Sequence, residues 1–200
     1  MITITTVYFV RHAEPDNTVH DDTVRPLTSK GMMDRTLVSG YLEDKNIQVL
    51  LSSPYKRAYD TIADFSKKSN LPIETVNEFR ERRIDSVWIE DFTAFAEKQW
   101  NDFSYRYSDG ECLAEVQERN IKALNAVLQR YANQNIAIGS HGTAISTIIN
   151  YYDNTFGFQE FQYIKRFMPW IVKLTFNGLI CEEILKINLF EDDCGKGRKR

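Results

Sequence analysis

Two of the three histidines in this 200-residue chain stand where an apolar run of sequence ends. Arg11-His12 follows the β-branched and aromatic residues 2–10, and His141 follows the apolar residues 136–139. Both runs have the composition of buried strands. In open α/β sheets, ligands bind beyond the carboxyl ends of the strands, so both imidazoles could face a ligand. Taken alone, a motif as short as Arg11-His12 favours an ordinary polar loop.

A further cation follows the short apolar strand predicted at residues 47–51. Ser53 as N-cap with Pro54 as the first helical residue is a strong helix-start signal. Arg57 then falls in the first turn, where a cation is unfavourable for the helix dipole. Two interpretations remain equally open on this local pattern. Either Arg57 is a solvated surface residue, or it holds an anion together with the free N–H groups of the helix.

Together these residues would form a strongly positive pocket in a chain whose net charge is −3. Guanidinium groups match phosphate oxygens, and neighbouring cations disfavour protonation of an imidazole. A neutral imidazole can attack phosphorus, while the same cations stabilise the charge on the phosphoryl oxygens. The leaving oxygen also needs a proton, which a nearby carboxylic acid could supply. The sequence therefore indicates phosphoryl-transfer chemistry.

Other functional classes fit the sequence less well. It contains no clear zinc-ligand spacing, no Gly-x-Ser-x-Gly elbow and no P-loop. The charge balance argues against nucleic-acid binding, and no apolar run approaches the ~20 residues of a membrane span. The N-terminus lacks the pattern of a secretory signal, and the three dispersed cysteines are typical of reduced thiols. We therefore expect a cytoplasmic protein without a nucleic-acid or membrane partner; the oligomeric state stays open.

The order of elements predicts a three-layer α/β/α sandwich. Strands alternate with helices, which favours a mainly parallel sheet, and Asn177-Gly178 predicts an antiparallel hairpin at the C-terminal end. No linker or composition shift divides the chain, so residues 1–190 are expected to form a single domain. Residues 191–200 are expected to be a flexible, solvated tail.

Three further helices are predicted from the sequence. Pro26-Leu27-Thr28 is predicted to open a helix with Thr28 or Ser29 as its N-cap, and its apolar face is predicted from Met33, Leu37, Val38 and Tyr41. Gly110-Glu111 is expected to open a long helix in which Glu111 compensates the dipole. Between them, Phe92, Phe95 and Trp100 share one helical face, mostly for packing.

The ordered set of motifs resembles the histidine phosphatase superfamily, whose fold is the phosphoglycerate-mutase-like one. Each motif is short, but together they run in family order from Arg11 to Gly142. They are Arg11-His12-Ala13-Glu14, Pro26-Leu27-Thr28 with Gly31, Ser52-Ser53-Pro54 with Arg57-Ala58, Phe79-Arg80-Glu81, Gly110-Glu111-Cys112 and Ser140-His141-Gly142.

The resemblance implies a role for each matched side chain. His12 would be the nucleophile that becomes phosphohistidine, while Arg11, Arg57 and His141 would hold the phosphoryl group. Glu81 would be the general acid, although Glu78 lies one helical turn away and could serve instead. The family needs neither a metal nor an organic cofactor. The expected function is therefore metal-independent hydrolysis of a small phosphomonoester.

The sequence also departs from the family pattern. Ala13 replaces the usual glycine, Pro15 stands where threonine is common, and Asp85 replaces the glycine after the acid motif. The aromatic residues 85–103 differ from the corresponding segment of glycolytic mutases, which favours a phosphatase. Two alternatives stay open, namely a mutase-type phosphotransferase and a catalytically weak phosphate-binding module.

Overall fold

The strand that ends in Arg11 lies inside a sheet of six strands. The computed structural model describes residues 4–84, 89 and 91–190, and the elements below belong to this part of the chain. The strands are β1 (Ile4–Arg11), β2 (Val49–Ser52), β3 (Ile73–Thr75), β4 (Asn135–Ser140), β5 (Trp170–Asn177) and β6 (Ile180–Ile187). The helices are α1 (Ser29–Leu42), α2 (Lys56–Ser69), α3 (Phe92–Asn101), α4 (Leu113–Arg130), α5 (Gly142–Tyr152) and α6 (Phe158–Ile164).

The sheet order is β3-β2-β4-β1-β5-β6, and it aligns the ends of three strands. The first four strands in this order pair in parallel, whereas β5 pairs antiparallel with both β1 and β6. Arg11 lies opposite Ser140 across β1 and β4, and Ser52 lies opposite Gly139 across β2 and β4. The residues that follow these strands therefore begin side by side. The predicted mainly parallel sheet with a C-terminal antiparallel pair is confirmed.

Helices cover both faces of the sheet, because side chains of a strand point alternately to the two sides. One core cluster joins α1 and α2 to the sheet, and it includes Tyr8, Val10, Val38, Leu42, Leu50, Ile62, Phe65 and Ala137. The other joins α3, α4, α5 and α6 to the opposite face, and it includes Val7, Phe9, Trp100, Leu124, Ile136, Ile138, Ile148 and Phe161. The architecture is therefore the predicted three-layer sandwich.

Helix α1 begins as predicted, but its buried face differs. Thr28 is the N-cap, and its side chain accepts a hydrogen bond from a backbone amide of the first turn. Met33 and Leu37, predicted to be buried, are 65% and 38% exposed. Ser39 is buried instead and donates a hydrogen bond to Asp64 of α2 at 2.6 Å. A polar contact between the helices thus replaces part of the expected apolar face.

The predicted start of α2 is wrong. This helix begins at Lys56 with Tyr55 as its N-cap, so Ser53 does not cap it and Pro54 is not its first residue. The Ser53 hydroxyl is hydrogen-bonded to His141, the N-cap of another helix. Arg57 still lies in the first turn of α2, as the sequence indicated.

Helix α4 also begins later than predicted, with Cys112 as its N-cap. Glu111 therefore precedes the helix, and the prediction that it compensates the helix dipole is wrong. Its carboxylate instead accepts hydrogen bonds from Arg80 and Arg119 at 2.8 Å each. Gly110 is needed here because an added Cβ would lie 1.8 Å from the carbonyl oxygen of Ile84.

The remaining elements include one that sequence patterns did not indicate. Helix α3 is present, and its Phe95 and Trp100 are buried as expected. The short helix α6 was not predicted. The turn between β5 and β6 contains Gly178 with a φ of 61°, which agrees with the predicted hairpin. Asp85 and the predicted tail at residues 191–200 lie outside the described residues. Among the described helices, none is both long and apolar enough to cross a membrane.

Candidate active site

The ends of β1, β2 and β4 bring together the side chains that the sequence singled out. The amide of His12 donates to the carbonyl of Ser140 at 3.1 Å, and the amide of Ser53 donates to the carbonyl of Gly139 at 2.8 Å. The rings of His12 and His141 meet edge to face with centroids 5.3 Å apart. Two imidazoles from distant parts of the chain therefore share one buried site.

The hydrogen bonding of His12 determines which ring nitrogen can react. Its Nδ1 lies 2.8 Å from the carbonyl oxygen of Ala13. A carbonyl oxygen can only accept, so Nδ1 carries the proton and Nε2 keeps its lone pair. Burial lowers the pKa of His12 well below 6.5, and the nearby guanidinium groups of Arg57 and Arg11 lower it further. At neutral pH, His12 is an uncharged imidazole with a nucleophilic Nε2.

His141 is oriented by the serine that was predicted to cap α2. Its Nε2 lies 2.8 Å from the hydroxyl of Ser53, which also accepts a hydrogen bond from the amide of Tyr55 at 3.2 Å. A hydroxyl that accepts from an amide can still donate its own proton to Nε2. With Ser53 as the donor, the proton of the neutral His141 ring is on Nδ1, which is buried and has no hydrogen-bond partner among the described residues. An N–H group is thus available to an incoming oxygen.

Arg11 is held in place by backbone carbonyls at and just after the end of α6. Its Nη1 donates to the carbonyls of Ile164 and Phe167 at 2.6 and 3.1 Å, while its buried Nε lacks a partner among the described residues. Burial lowers the pKa of Arg11 to about 10, which the charge of Glu81 opposes. The guanidinium remains charged at neutral pH. It is therefore a fixed cation with a donor still unused.

Arg57 is buried, and the interpretation of it as a solvated surface residue is wrong. The residue is 3% exposed, and its Nη1 donates to the carbonyl of Asp22 at 2.5 Å. Its Nη2 donates to the carboxylate of Asp22 at 3.2 Å. The side chain of Asp22 is 40% exposed, so this contact lies at the solvent side of the site. Asp22 fixes the direction of the guanidinium, and no local pattern in the sequence indicated this contact.

The structure distinguishes the two candidate acids by their positions. Glu81 Oε2 accepts from the amide of Thr143 at 3.2 Å, and its Oε1 accepts from the amide of Arg82 at 2.8 Å. Thr143 lies in the first turn of α5, two residues after His141. The residue Glu78 is exposed. The carboxyl group of Glu81 therefore lies at the N-terminus of α5, the helix that His141 caps.

The Pro-Leu-Thr segment supports the loop that follows His12. The amide of Thr28 donates to the carbonyl of Glu14 at 3.0 Å, and its hydroxyl donates to the Glu14 carboxylate at 2.9 Å. Gly31 is packed so closely that an added Cβ would lie 2.3 Å from the same carbonyl oxygen. Thr28 and Gly31 thus fix the backbone at Glu14, two residues after His12.

The buried histidines predict a loss of stability in mild acid. Burial is the main cause that holds the pKa of His12 and His141 below 6.5 in the folded protein, whereas the unfolded chain takes up protons at about that pH. The unfolded state therefore binds more protons as the pH falls below 6.5, and the free energy of unfolding decreases. Each histidine should contribute about 1.4 kcal/mol per pH unit in this range.

Denaturant unfolding at pH 7.5, 6.5, 5.5 and 5 would measure this dependence, with values chosen about the ordinary histidine pKa. The variant His141→Gln should show a slope about half as steep as that of the original chain, since one of the two groups is removed. A slope that is unchanged in this variant would show that other groups control the acid sensitivity.

Among the described residues, no group of three or more His, Cys, Asp or Glu side chains is arranged to hold a metal ion. The charged or ionisable groups that converge on the site include the guanidinium groups of Arg11 and Arg57 and the carboxyl groups of Glu81 and Asp22. Such an arrangement can bind an oxyanion and move a proton. Two neutral imidazoles add one nucleophilic nitrogen and one N–H donor.

Comparison with known proteins agrees with this chemistry. A family model described as the histidine phosphatase superfamily (branch 1) matches residues 7–178. The uncharacterized phosphatase PhoE of Bacillus subtilis (strain 168) is 29% identical over 153 residues, which cover 73% of this chain and 76% of that protein. Phosphoserine phosphatase 1 of Hydrogenobacter thermophilus is 30% identical over 149 residues, covering 66% and 68%. The solved structure of Bacillus stearothermophilus YhfR superposes with a TM-score of 0.73 at 20% identity, covering 89% and 94%.

Proposed function

Because this chain belongs to the histidine phosphatase superfamily (branch 1), we propose that it hydrolyses small phosphomonoesters through a phosphohistidine on His12. The observation that carries the proposal is the tautomer of His12. Its Nδ1 donates to the carbonyl of Ala13, so the lone pair of Nε2 is free to attack. The relatives named as phosphatases support hydrolysis as the overall reaction.

In the first step, the Nε2 lone pair of His12 attacks phosphorus and the bond from phosphorus to the ester oxygen breaks. The departing oxygen takes a proton from the carboxylic acid of Glu81. Arg11, Arg57 and the Nδ1–H of His141 stabilise the charge on the three equatorial oxygens. Because His12 begins neutral, its attack needs no prior loss of a proton.

In the second step, water displaces the phosphoryl group from His12. Glu81, now a carboxylate, removes a proton from the attacking water, and the bond between Nε2 and phosphorus breaks. Inorganic phosphate leaves, and both His12 and Glu81 return to their starting protonation states. The balance of protons requires no other group. The positive charge that this cycle needs comes from arginine side chains, so the reaction should not depend on a metal ion.

A panel of phosphomonoesters tests this proposal directly. We expect the purified protein to release inorganic phosphate from p-nitrophenyl phosphate and from one or more of phosphoserine, phosphoglycerates, sugar phosphates and nucleotides. Activity should survive extensive dialysis against EDTA, and it should not require a bisphosphate primer. Metal independence follows from the use of arginine side chains to stabilise the phosphoryl charge, and primer independence follows from hydrolysis as the overall reaction.

Each alternative gives a different result in the same panel. A mutase-type phosphotransferase would convert one phosphoglycerate into its isomer and would depend on a bisphosphate primer. A phosphate-binding module would bind phosphate or vanadate without turning over p-nitrophenyl phosphate. Loss of activity with EDTA and its recovery with a divalent ion would contradict the metal-independent mechanism.

A further inference from the structure

Arg119 of α4 holds the backbone on both sides of Glu81. Its Nη1 donates to the carbonyl of Glu78 and, at 3.0 Å, to the carbonyl of Arg80. Its Nη2 donates to the carbonyl of Glu81 itself at 3.3 Å. Three carbonyl groups within four residues thus point to one guanidinium. The planar fork of arginine suits this task because its donors have fixed relative directions.

Glu111 completes this arrangement from the other side. Its Oε1 accepts from Arg119 Nε at 2.8 Å, and its Oε2 accepts from the amide of Arg83 at 2.8 Å. The side chains of Arg119 and Glu111 are only 13% and 15% exposed. Burial opposes the charge of Glu111, but hydrogen bonds from Arg119 and the Arg83 amide outweigh it and keep the pKa of Glu111 below its ordinary value. The pair is therefore ionised and well fixed.

Other contacts anchor the start of the same segment without help from Arg119. The hydroxyl of Ser140 donates to the carbonyl of Phe79 at 2.9 Å, and the Phe79 side chain is fully buried in the core. These contacts would remain if Arg119 were replaced. Removal of Arg119 should therefore loosen the backbone at residues 80–81 without detaching the segment from the fold.

We infer that Arg119, paired with Glu111, is a positioning residue for Glu81. By fixing the carbonyls around Glu81, it keeps the carboxyl group against the amide of Thr143, at the start of the helix that His141 caps. Among the described residues, the side-chain hydrogen bonds of Arg119 go to this backbone segment and to Glu111. This inference rests on the proposed role of Glu81 as the proton donor, and it adds the requirement that α4 sets the position of the donor.

The test compares two arginines of the same helix. Arg130 also lies on α4, but it is 62% exposed and pairs with Glu74 at 2.7 Å, away from the segment that carries Glu81. Arg119→Met should lower kcat for β-glycerophosphate about 10- to 100-fold more than for p-nitrophenyl phosphate, because a misplaced acid matters only for a poor leaving group. Arg130→Met should leave both rates unchanged.

A double variant separates positioning from general loss of structure. In the background Glu81→Gln, the change Arg119→Met should produce no further selective loss on β-glycerophosphate, since the donor is already absent. The affinity for inorganic phosphate should be the same in Arg119→Met and in Glu81→Gln as in the original chain. If Arg119→Met does not yield soluble protein, Arg119→Lys and Glu111→Gln carry the same comparison with smaller expected effects.

The outcomes separate this inference from the proposed function. If Glu81→Gln shows the leaving-group effect and Arg119→Met lowers both rates equally, the positioning role is wrong and the role of Glu81 stands. If Glu81→Gln shows no leaving-group effect, the role of Glu81 as proton donor and the positioning role of Arg119 are both overturned. Selective loss in Arg119→Met that disappears in the Glu81→Gln background supports the inference.

Discussion

Replacement of His12 by alanine should abolish hydrolysis and prevent any covalent phosphorylation of the protein. The variant loses the neutral imidazole whose Nε2 lone pair is free to attack, so kcat should fall by at least about 10⁴-fold. The measurement has two parts, namely turnover of p-nitrophenyl phosphate and acid-labile phosphate on protein quenched during turnover. The original chain should show both signals.

Two other histidine variants serve as comparisons. His20 is exposed and lies in the loop after His12, so His20→Ala should retain full activity. His141→Ala should cripple turnover but keep part of the affinity for inorganic phosphate, because Arg11 and Arg57 remain. If His12→Ala still turned over substrate at a substantial rate, another nucleophile would have to be sought.

Much of this site is predictable because its residues follow apolar strands. The strand pairing explains why: β1, β2 and β4 are parallel and end at one level, so whatever follows them converges. Because Arg11-His12 lies at the end of β1 and His141 directly follows β4, the sequence alone predicts that these side chains lie close together. Burial of Arg57 follows from the same arrangement, although its local pattern left two interpretations open.

The parts that sequence patterns missed are long-range polar contacts. Ser53 and His141 are separated by 88 residues, and a serine before Pro54 has the same local pattern whether it caps a helix or orients an imidazole. Glu111 likewise looks like a helix-start acid until Arg119 and the Arg83 amide are seen around it. When a polar side chain has several possible hydrogen-bond partners, its neighbours in sequence do not determine which partner it binds in the fold.

Helix α1 illustrates a different limit of periodicity. Its spacing predicts an apolar face through Met33 and Leu37, yet both are exposed. The face toward α2 includes Ser39, whose hydroxyl bonds to Asp64, so the packed side of the helix is partly polar. Periodicity identifies the face toward a core only when apolar side chains make the contact.

The change Glu81→Gln should slow alkyl phosphates far more than aryl phosphates. It preserves the shape of the side chain and removes the proton that a poor leaving group needs, whereas p-nitrophenolate departs without protonation. The expected loss on β-glycerophosphate is about 10²–10⁴-fold, the usual cost of removing one acid or base group. Steady-state kcat/KM for both substrates would measure the difference.

Glu78→Gln is the matched control, since it makes the same chemical change three residues earlier in the chain. Glu78 is exposed, whereas Glu81 accepts from the amide of Thr143 at the start of α5, so we expect Glu81 rather than Glu78 to protonate the leaving oxygen. The Glu78→Gln variant should therefore show the same relative change in kcat/KM for both substrates. A structural role for Glu81 would lower both of its rates together, and a leaving-group effect at Glu78 alone would assign proton donation to that residue instead.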